Sequence, residues 1–290
     1  MVLAHYFPWY DDLNIQQNFG PDLPAYPANT NDPPTVAAAV NLAASKGIDA
    51  FIVEYEGSPM HNARIPLVVA AADAKPGFKL AYTLDLDILN WRNGGITPDI
   101  LDTGLRAVTA NVNHPSQLFT NGKPVVFLYG GSKVTAADWQ AALDRLRTAT
   151  GVDPFVVSDT DGLGAQGIYK FGTYGLKDKA ALDSWSNDML WRHHLDQALN
   201  NEPTPLWAAP VSPGYDDRNM NRQPPMYIDR AMGQRYEDEW AASLGSLPDW
   251  IVVTTWNEYY EQTHVAPGST TGMYTLDATN RWAGQFHTTG

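Results

Sequence analysis

The chain has no cysteine among its 290 residues. Disulfide staples and thiolate chemistry are therefore excluded, and the redox compartment is left open. Basic residues are scarce: 19 Lys and Arg stand against 32 Asp and Glu, a formal net charge of −13. A surface of that sign repels nucleic acid and anionic membranes, so neither is expected as a partner, while neutral ligands carry no penalty. No apolar run approaches the roughly 20 residues that cross a bilayer. No leader segment is visible ahead of Leu3-Ala4-His5-Tyr6-Phe7, which already reads as a strand. Low-complexity tracts and internal repeats are missing too. In Asp161-Gly162-Leu163-Gly164-Ala165-Gln166-Gly167 the glycines precede a strand instead of a helix, and no Lys-Ser/Thr follows, so it is no phosphate loop. No Ser sits in a Gly-x-Ser-x-Gly elbow. No His spacing suits zinc, and His193-His194 are neighbours on a helix and diverge.

What is present is a globular composition, 44% hydrophobic and 11% aromatic with ten Trp. Core filling accounts for most of those rings, and sugar stacking is a second use for them. Apolar, β-rich runs recur at 3–7, 50–54, 79–84, 124–129, 154–158, 167–171, 206–211 and 250–255. Helix-like segments at 35–46, 65–74, 98–111, 136–150, 180–200, 229–244 and 279–286 alternate with them. About eight βα units predict an α/β fold, a closed (β/α)8 TIM barrel in a single domain over 1–290. Connections entering strands are short and turn-rich, such as Lys46-Gly47 and Asn121-Gly122-Lys123. Those leaving strands are long, as at 9–34, 212–228 and 256–278. In this architecture the long set builds the active face.

Acids and tyrosines gather at the strand ends: Tyr6 and Tyr10; Glu54, Tyr55 and Glu56; Asp85 and Asp87; Tyr129; Asp159; Tyr169; Asp216 and Asp217; Glu258 and Glu261. Any one Asp can be a helix N-cap, and Asp159 and Asp161 read best as caps or turn residues. Glu258 and Glu261 stand apart. They follow the strand Trp250-Ile251-Val252-Val253-Thr254-Thr255 in the segment Trp256-Asn257-Glu258-Tyr259-Tyr260-Glu261. At a helical i, i+3 spacing their Cβ atoms lie roughly 5–6 Å apart on one side. Mutual repulsion then splits their pKa values into an acid and a base. A solvated first helical turn also favours Glu, but it has no need of Trp256, Tyr259 and Tyr260. Retaining glycosidases usually draw two carboxylates from different strands, about 5–5.5 Å apart, one of them a nucleophile. A pair on one turn suggests a variant, in which one carboxylate deprotonates a neighbouring sugar hydroxyl and the other protonates the leaving oxygen. A metal-dependent hydrolase using Asp85, Asp87 and other strand-end acids, with calcium as one candidate ion, and a non-hydrolytic carbohydrate-binding barrel are the alternatives.

The motifs resemble those of glycoside hydrolase family 99, the endo-α-mannosidases and endo-α-mannanases, and of the related 71/99-like barrels. Gly167-Ile168-Tyr169-Lys170-Phe171 is similar to the family's Gly-Φ-Tyr-x-Tyr strand. Val211-Ser212-Pro213-Gly214-Tyr215-Asp216-Asp217 resembles its Ser-Val-x-Pro-Gly-Tyr/Phe-x-Asp loop. Arg230 and Gly233-Gln234-Arg235-Tyr236-Glu237 follow, and then Trp256-Asn257-Glu258-Tyr259-Tyr260-Glu261-Gln262-Thr263, which looks like Φ-Asn-Glu-Trp-x-Glu-Gly-Thr. Tyr6-Phe7-Pro8-Trp9-Tyr10 and the strand ending at Tyr129 fit as well. The resemblance implies a retaining α-glycosidase that works through a 1,2-anhydro sugar with no metal or other cofactor. Glu258 would take the 2-hydroxyl proton and Glu261 would protonate the leaving group. Asp85, Tyr169, Arg230, Tyr236 and Asn257 would contact or support an oligo- or polysaccharide. It also implies a secreted or periplasmic location; a monomer is expected. Tyr259-Tyr260 replaces the family's Trp-His, Glu54-Tyr55-Glu56 replaces a Trp-containing loop, and Thr83 replaces a His. These positions line the sugar subsites, so the chemistry carries over more readily than the mannose.

Overall fold

The computed structural model describes residues 1–12, 20–200 and 205–289. Eight parallel strands form its centre: β1 (Val2–Tyr6), β2 (Ala50–Tyr55), β3 (Lys79–Asp85), β4 (Lys123–Tyr129), β5 (Phe155–Ser158), β6 (Gly167–Tyr169), β7 (Leu206–Val211) and β8 (Trp250–Val253). Each pairs with its sequence neighbour, β3 pairs β4 through Tyr82↔Val126, and β8 returns to β1 through Ile251↔Val2. The sheet is therefore closed, and the expected (β/α)8 barrel is what the chain forms. A two-residue strand, Phe119–Thr120, adds antiparallel to the start of β4. A small hairpin, Tyr215–Asp216 with Tyr227–Ile228, stands on the loop after β7.

The pleat sorts the side chains into two cores, because successive residues on a strand face opposite ways. Leu3, Ile52, Ala81, Val125, Phe127, Val157, Tyr169 and Val252 fill the barrel interior. Val2, Ala4, Tyr6, Phe51, Val53, Tyr82 and Ile251 face the helices instead. Trp139, Trp207, Trp240 and Trp256 are wholly buried. Most of the tryptophans that are fully enclosed thus serve packing.

Helix starts follow local chemistry. Asp32, Thr97, Thr135 and Asp178 each accept a backbone N–H three residues on, and Pro stands at the first positions after Asp32 and Thr97. Glycine in the left-handed region closes the helix Ala136–Thr150 at Gly151. The helices depart from expectation in several places. Leu86–Asn93 was not expected at all: its buried residues are only Leu86 and Leu89, too short a stripe to show a period. The helix expected from residue 229 begins at Gln234, because Met232 and Gly233 have positive φ. No helix among the described residues is long and apolar enough to cross a membrane.

Candidate active site

The loops leaving the strand C-termini enclose a cleft of about 400 Å³. Alternation decides which strand residues reach it. Glu54, Asp85 and Tyr129 share the inward phase of β2, β3 and β4 and line the cleft. Tyr169 shares that phase on β6 but lies deeper, fully buried, its ring 5.1 Å from Phe127. Tyr6 and Tyr55 have the opposite phase and face the helices, Tyr6 stacking on Phe51 at 4.9 Å. Neither lines the cleft.

Glu258, Tyr260 and Glu261 form the wall above β8. The segment is a hydrogen-bonded turn, not the start of a helix; the next helix begins only at Tyr274. Thr255 Oγ1 accepts the Glu258 N–H at 2.8 Å and orients the turn. Glu258 Oε1 accepts three hydrogen bonds: from Tyr10 OH at 3.0 Å, from Tyr260 N at 2.8 Å and from Glu261 N at 3.3 Å. The Tyr10 hydroxyl in turn accepts the Tyr259 N–H at 3.0 Å. Glu258 is only 3% exposed. Burial, and then the charge of Glu261, push its pKa well above the usual carboxylate range.

Glu261 has a different environment. Its Oε1 accepts from Arg222 Nη1 at 2.6 Å, and that nitrogen also donates to Tyr215 OH at 2.6 Å. Asp217 Oδ2 accepts from Tyr215 OH at 3.2 Å and lies 3.6 Å from Arg222. The Glu261 carbonyl accepts the Asp216 N–H at 2.8 Å, so the hairpin after β7 is docked on the carboxylate turn. The guanidinium is about half exposed, so this pair orients the carboxylate more than it stabilises the fold. The turn thus carries one carboxyl buried beside an anion and one paired to arginine, an arrangement that can supply an acid and a base.

A second acidic pair stands beside the first. Burial, then neighbouring Asp85, raises Glu54 well above its ordinary pKa, and Glu258 adds to the effect. Burial pushes Asp85 up to about 7 although it accepts the Ile88 N–H at 2.8 Å as a helix cap. Asp85 is thus both a cap and a cleft residue. Its linkage to folding has a definite sign. Between its unfolded value near 3.8 and about 7 the native state holds the extra proton, so stability falls as pH rises through that window. Asp85→Asn keeps a good cap and cannot ionise. It is expected to be more stable than the parent at pH 8 by about 1–4 kcal/mol and equally stable at pH 4, as read by denaturant melts.

The remaining candidates hold the loops. Asn257 accepts the Phe7 N–H at 2.8 Å and donates to the Phe7 carbonyl at 2.9 Å, tying the loop after β8 to that after β1. Tyr259 packs its ring 4.1 Å from His264. Arg230 donates to the carbonyls of Gln262 and His264 and braces the end of the turn. Tyr236 bonds Thr279 Oγ1 between two outer helices, and Trp256 packs on Phe51 in the helix-facing layer. Glu56 is held by His61 and Arg92. Asp216 pairs with Arg218. These seven do not line the cleft. Asp159 accepts the Gly130 and Gly131 N–H groups, as a turn residue should. Among the described residues no three His, Asp or Glu side chains cluster closely enough to hold a metal ion.

Several cleft residues were not foreseen: Arg222, Tyr174, Tyr215, Met220, Met226 and Ile88. They come from loops and from the unexpected helix, where no periodic signal marks them. Phe7 and Trp9, their rings stacked at 4.4 Å, line it too, with Phe171 and the strand-end candidate Asp87.

Comparison with known proteins bears on the family and the fold. The model of glycosyl hydrolase family 71 matches residues 29–290. A glucan endo-1,3-alpha-glucosidase of Schizosaccharomyces pombe is 25% identical over 227 residues, 76% of this chain and 51% of that protein. An ascus wall endo-1,3-alpha-glucanase of the same yeast is 22% identical over 262 residues, 85% of this chain and 57% of that protein. The chain thus spans about half the length of these relatives. The solved structure of a family 99 endo-alpha-mannosidase from Bacteroides thetaiotaomicron superposes with a TM-score of 0.78 at 19% identity, over 99% of this chain and 97% of that one. That likeness extends to the fold.

Proposed function

The chain belongs to glycosyl hydrolase family 71, and from that premise we propose that it hydrolyses an α-1,3-linked glucan, with residues 1–290 acting as one catalytic barrel and Glu258 and Glu261 as its acid–base pair. The observation that carries the reading is the turn after β8. It offers the same cleft a buried carboxyl with a raised pKa and a carboxylate ion-paired to Arg222. The names of the two yeast relatives support α-1,3-glucan over mannan as the substrate.

The division of labour follows from the electrostatics. Glu258 holds the proton in the empty cleft and donates it to the leaving glycosidic oxygen. Glu261, as the carboxylate, serves as base. This order is the reverse of the one implied by the family 99 resemblance. In an α-glucoside the 2-hydroxyl is cis to the leaving oxygen and cannot displace it from the opposite face, as the trans 2-hydroxyl of an α-mannoside can. Glu261 therefore takes its proton from a water molecule, whose oxygen attacks the anomeric carbon from the β face. As the water oxygen bonds to that carbon the bond to the leaving unit breaks, the water's proton goes to Glu261 and the proton of Glu258 to the departing hydroxyl, and the new reducing end has the β configuration. A second route is favoured by the Glu54–Asp85 pair, which brings a further base to the same cleft. Water activated there attacks directly and inverts the anomeric centre.

The test is a panel of linear α-1,3-glucan, α-1,4-glucan and α-mannan, with proton NMR of the first product formed. Reducing ends released from α-1,3-glucan are expected. A β anomer is expected from direct attack by water, and an α anomer contradicts that route. Release from mannan alone contradicts the glucan assignment.

A further inference from the structure

The cleft does not end at the ion pair. Beyond Arg222 lies an open groove of about 940 Å³, and Tyr174, Tyr215, Arg222 and Met226 line both spaces. Its own walls are Pro224, Pro225 and Tyr227 on the hairpin side and Gly175 and Lys177 opposite, with Gln223 at the edge. Tyr227 is 47% exposed, and the Arg218 guanidinium lies 3.8 Å from the centre of its ring. Rings and prolines present flat apolar surfaces, which suit the C–H faces of a pyranose. Gln223, Lys177 and Asp217 supply polar groups for its hydroxyls. A single glucose unit does not need this extra length, whereas an internal stretch of polymer does.

We propose that this groove binds the successive glucose units of an α-glucan chain that continues past the cleaved bond, so that the hairpin after β7 is a polymer-binding element as well as the support of Glu261. The inference rests on the α-glucan reading above and adds where the chain lies. It predicts that substrate length is read by residues that never meet the scissile bond.

Two variants probe it from opposite walls. Tyr227→Ala removes the exposed ring. Gly175→Trp projects into the groove from the wall opposite the hairpin; apart from its chain neighbours, no atom lies within 4 Å of where its Cβ would stand. With α-1,3-gluco-oligosaccharides of increasing length, kcat/KM of the wild type is expected to rise with length. In both variants it is expected to stay at the short-chain value, leaving long chains roughly three- to tenfold poorer substrates while the shortest cleaved chain is unaffected. Calorimetry with the same oligosaccharides on a Glu258→Gln background reads binding without turnover. If the wild type cleaves no α-glucan but binds long chains more tightly than short ones, and both variants abolish that gain, the hydrolase reading falls and the groove stands. If affinity does not grow with length, or grows equally in all three proteins, the groove is not a binding site.

Discussion

In Glu258→Gln, turnover of α-1,3-glucan is expected to fall roughly 10²–10⁴-fold, the range that one general acid–base group contributes, while the fold is kept. The amide is nearly isosteric, and its oxygen can accept the hydrogen bonds from Tyr10, Tyr260 and Glu261 that Oε1 now takes. Stability should rise at alkaline pH. The folded pKa of Glu258 is raised, so above the ordinary carboxylate range the native state holds a proton that the unfolded chain has released. Stability is therefore lost as pH climbs toward the folded value. The amide removes that loss, so the variant should melt at or above the parent temperature at pH 8. The same group is expected to set the basic limb of the wild-type pH–rate profile, because a proton donor must be protonated. A leaving group that needs no proton bypasses the defect. On an oligosaccharyl fluoride, Glu258→Gln should recover most of its lost rate.

Glu261→Gln is expected to lose a similar factor, and the fluoride should not rescue it, since the base is needed whatever departs. Its effect on folding should be small, within about 1 kcal/mol, because the partner guanidinium is about half exposed and keeps Tyr215 and Asp217 as neighbours. Rescue of Glu261→Gln in place of Glu258→Gln would exchange the roles and restore the order implied by the family 99 resemblance. Near-wild-type turnover in either variant would remove that residue from the chemistry.

The eight strands were legible because a parallel strand buried on both faces is an almost unbroken apolar run, and each of these is bounded by turn residues. The carboxylate pair was legible because a buried strand running into Glu-Tyr-Tyr-Glu has no structural need of two acids. Tyr6 and Tyr55 were placed at the strand ends with the cleft residues, although the two-residue alternation that puts Glu54 inside already sends Tyr55 to the helices. Asn257, Arg230 and Tyr236 read from their motifs as groups that contact the substrate or support those that do, and their hydrogen bonds fasten loops and helices. Arg222 could not be read from local pattern. It reaches Glu261, 39 residues away, only because the Tyr215–Asp216 and Tyr227–Ile228 strands fold its loop back over the cleft. Helix Leu86–Asn93 escaped notice for a related reason: its N-cap is the cleft residue Asp85, which reads equally well as an acid at a strand end.

Reducing-end release from linear α-1,3-glucan, followed side by side for the wild type and the Glu258→Gln/Glu261→Gln double variant with matched melting curves, tests the central claim most directly. Steady release of oligosaccharides by the wild type and none by the folded double variant is the predicted result. A wild type that leaves the glucan intact, or a double variant that cleaves it at a comparable rate, would contradict the account.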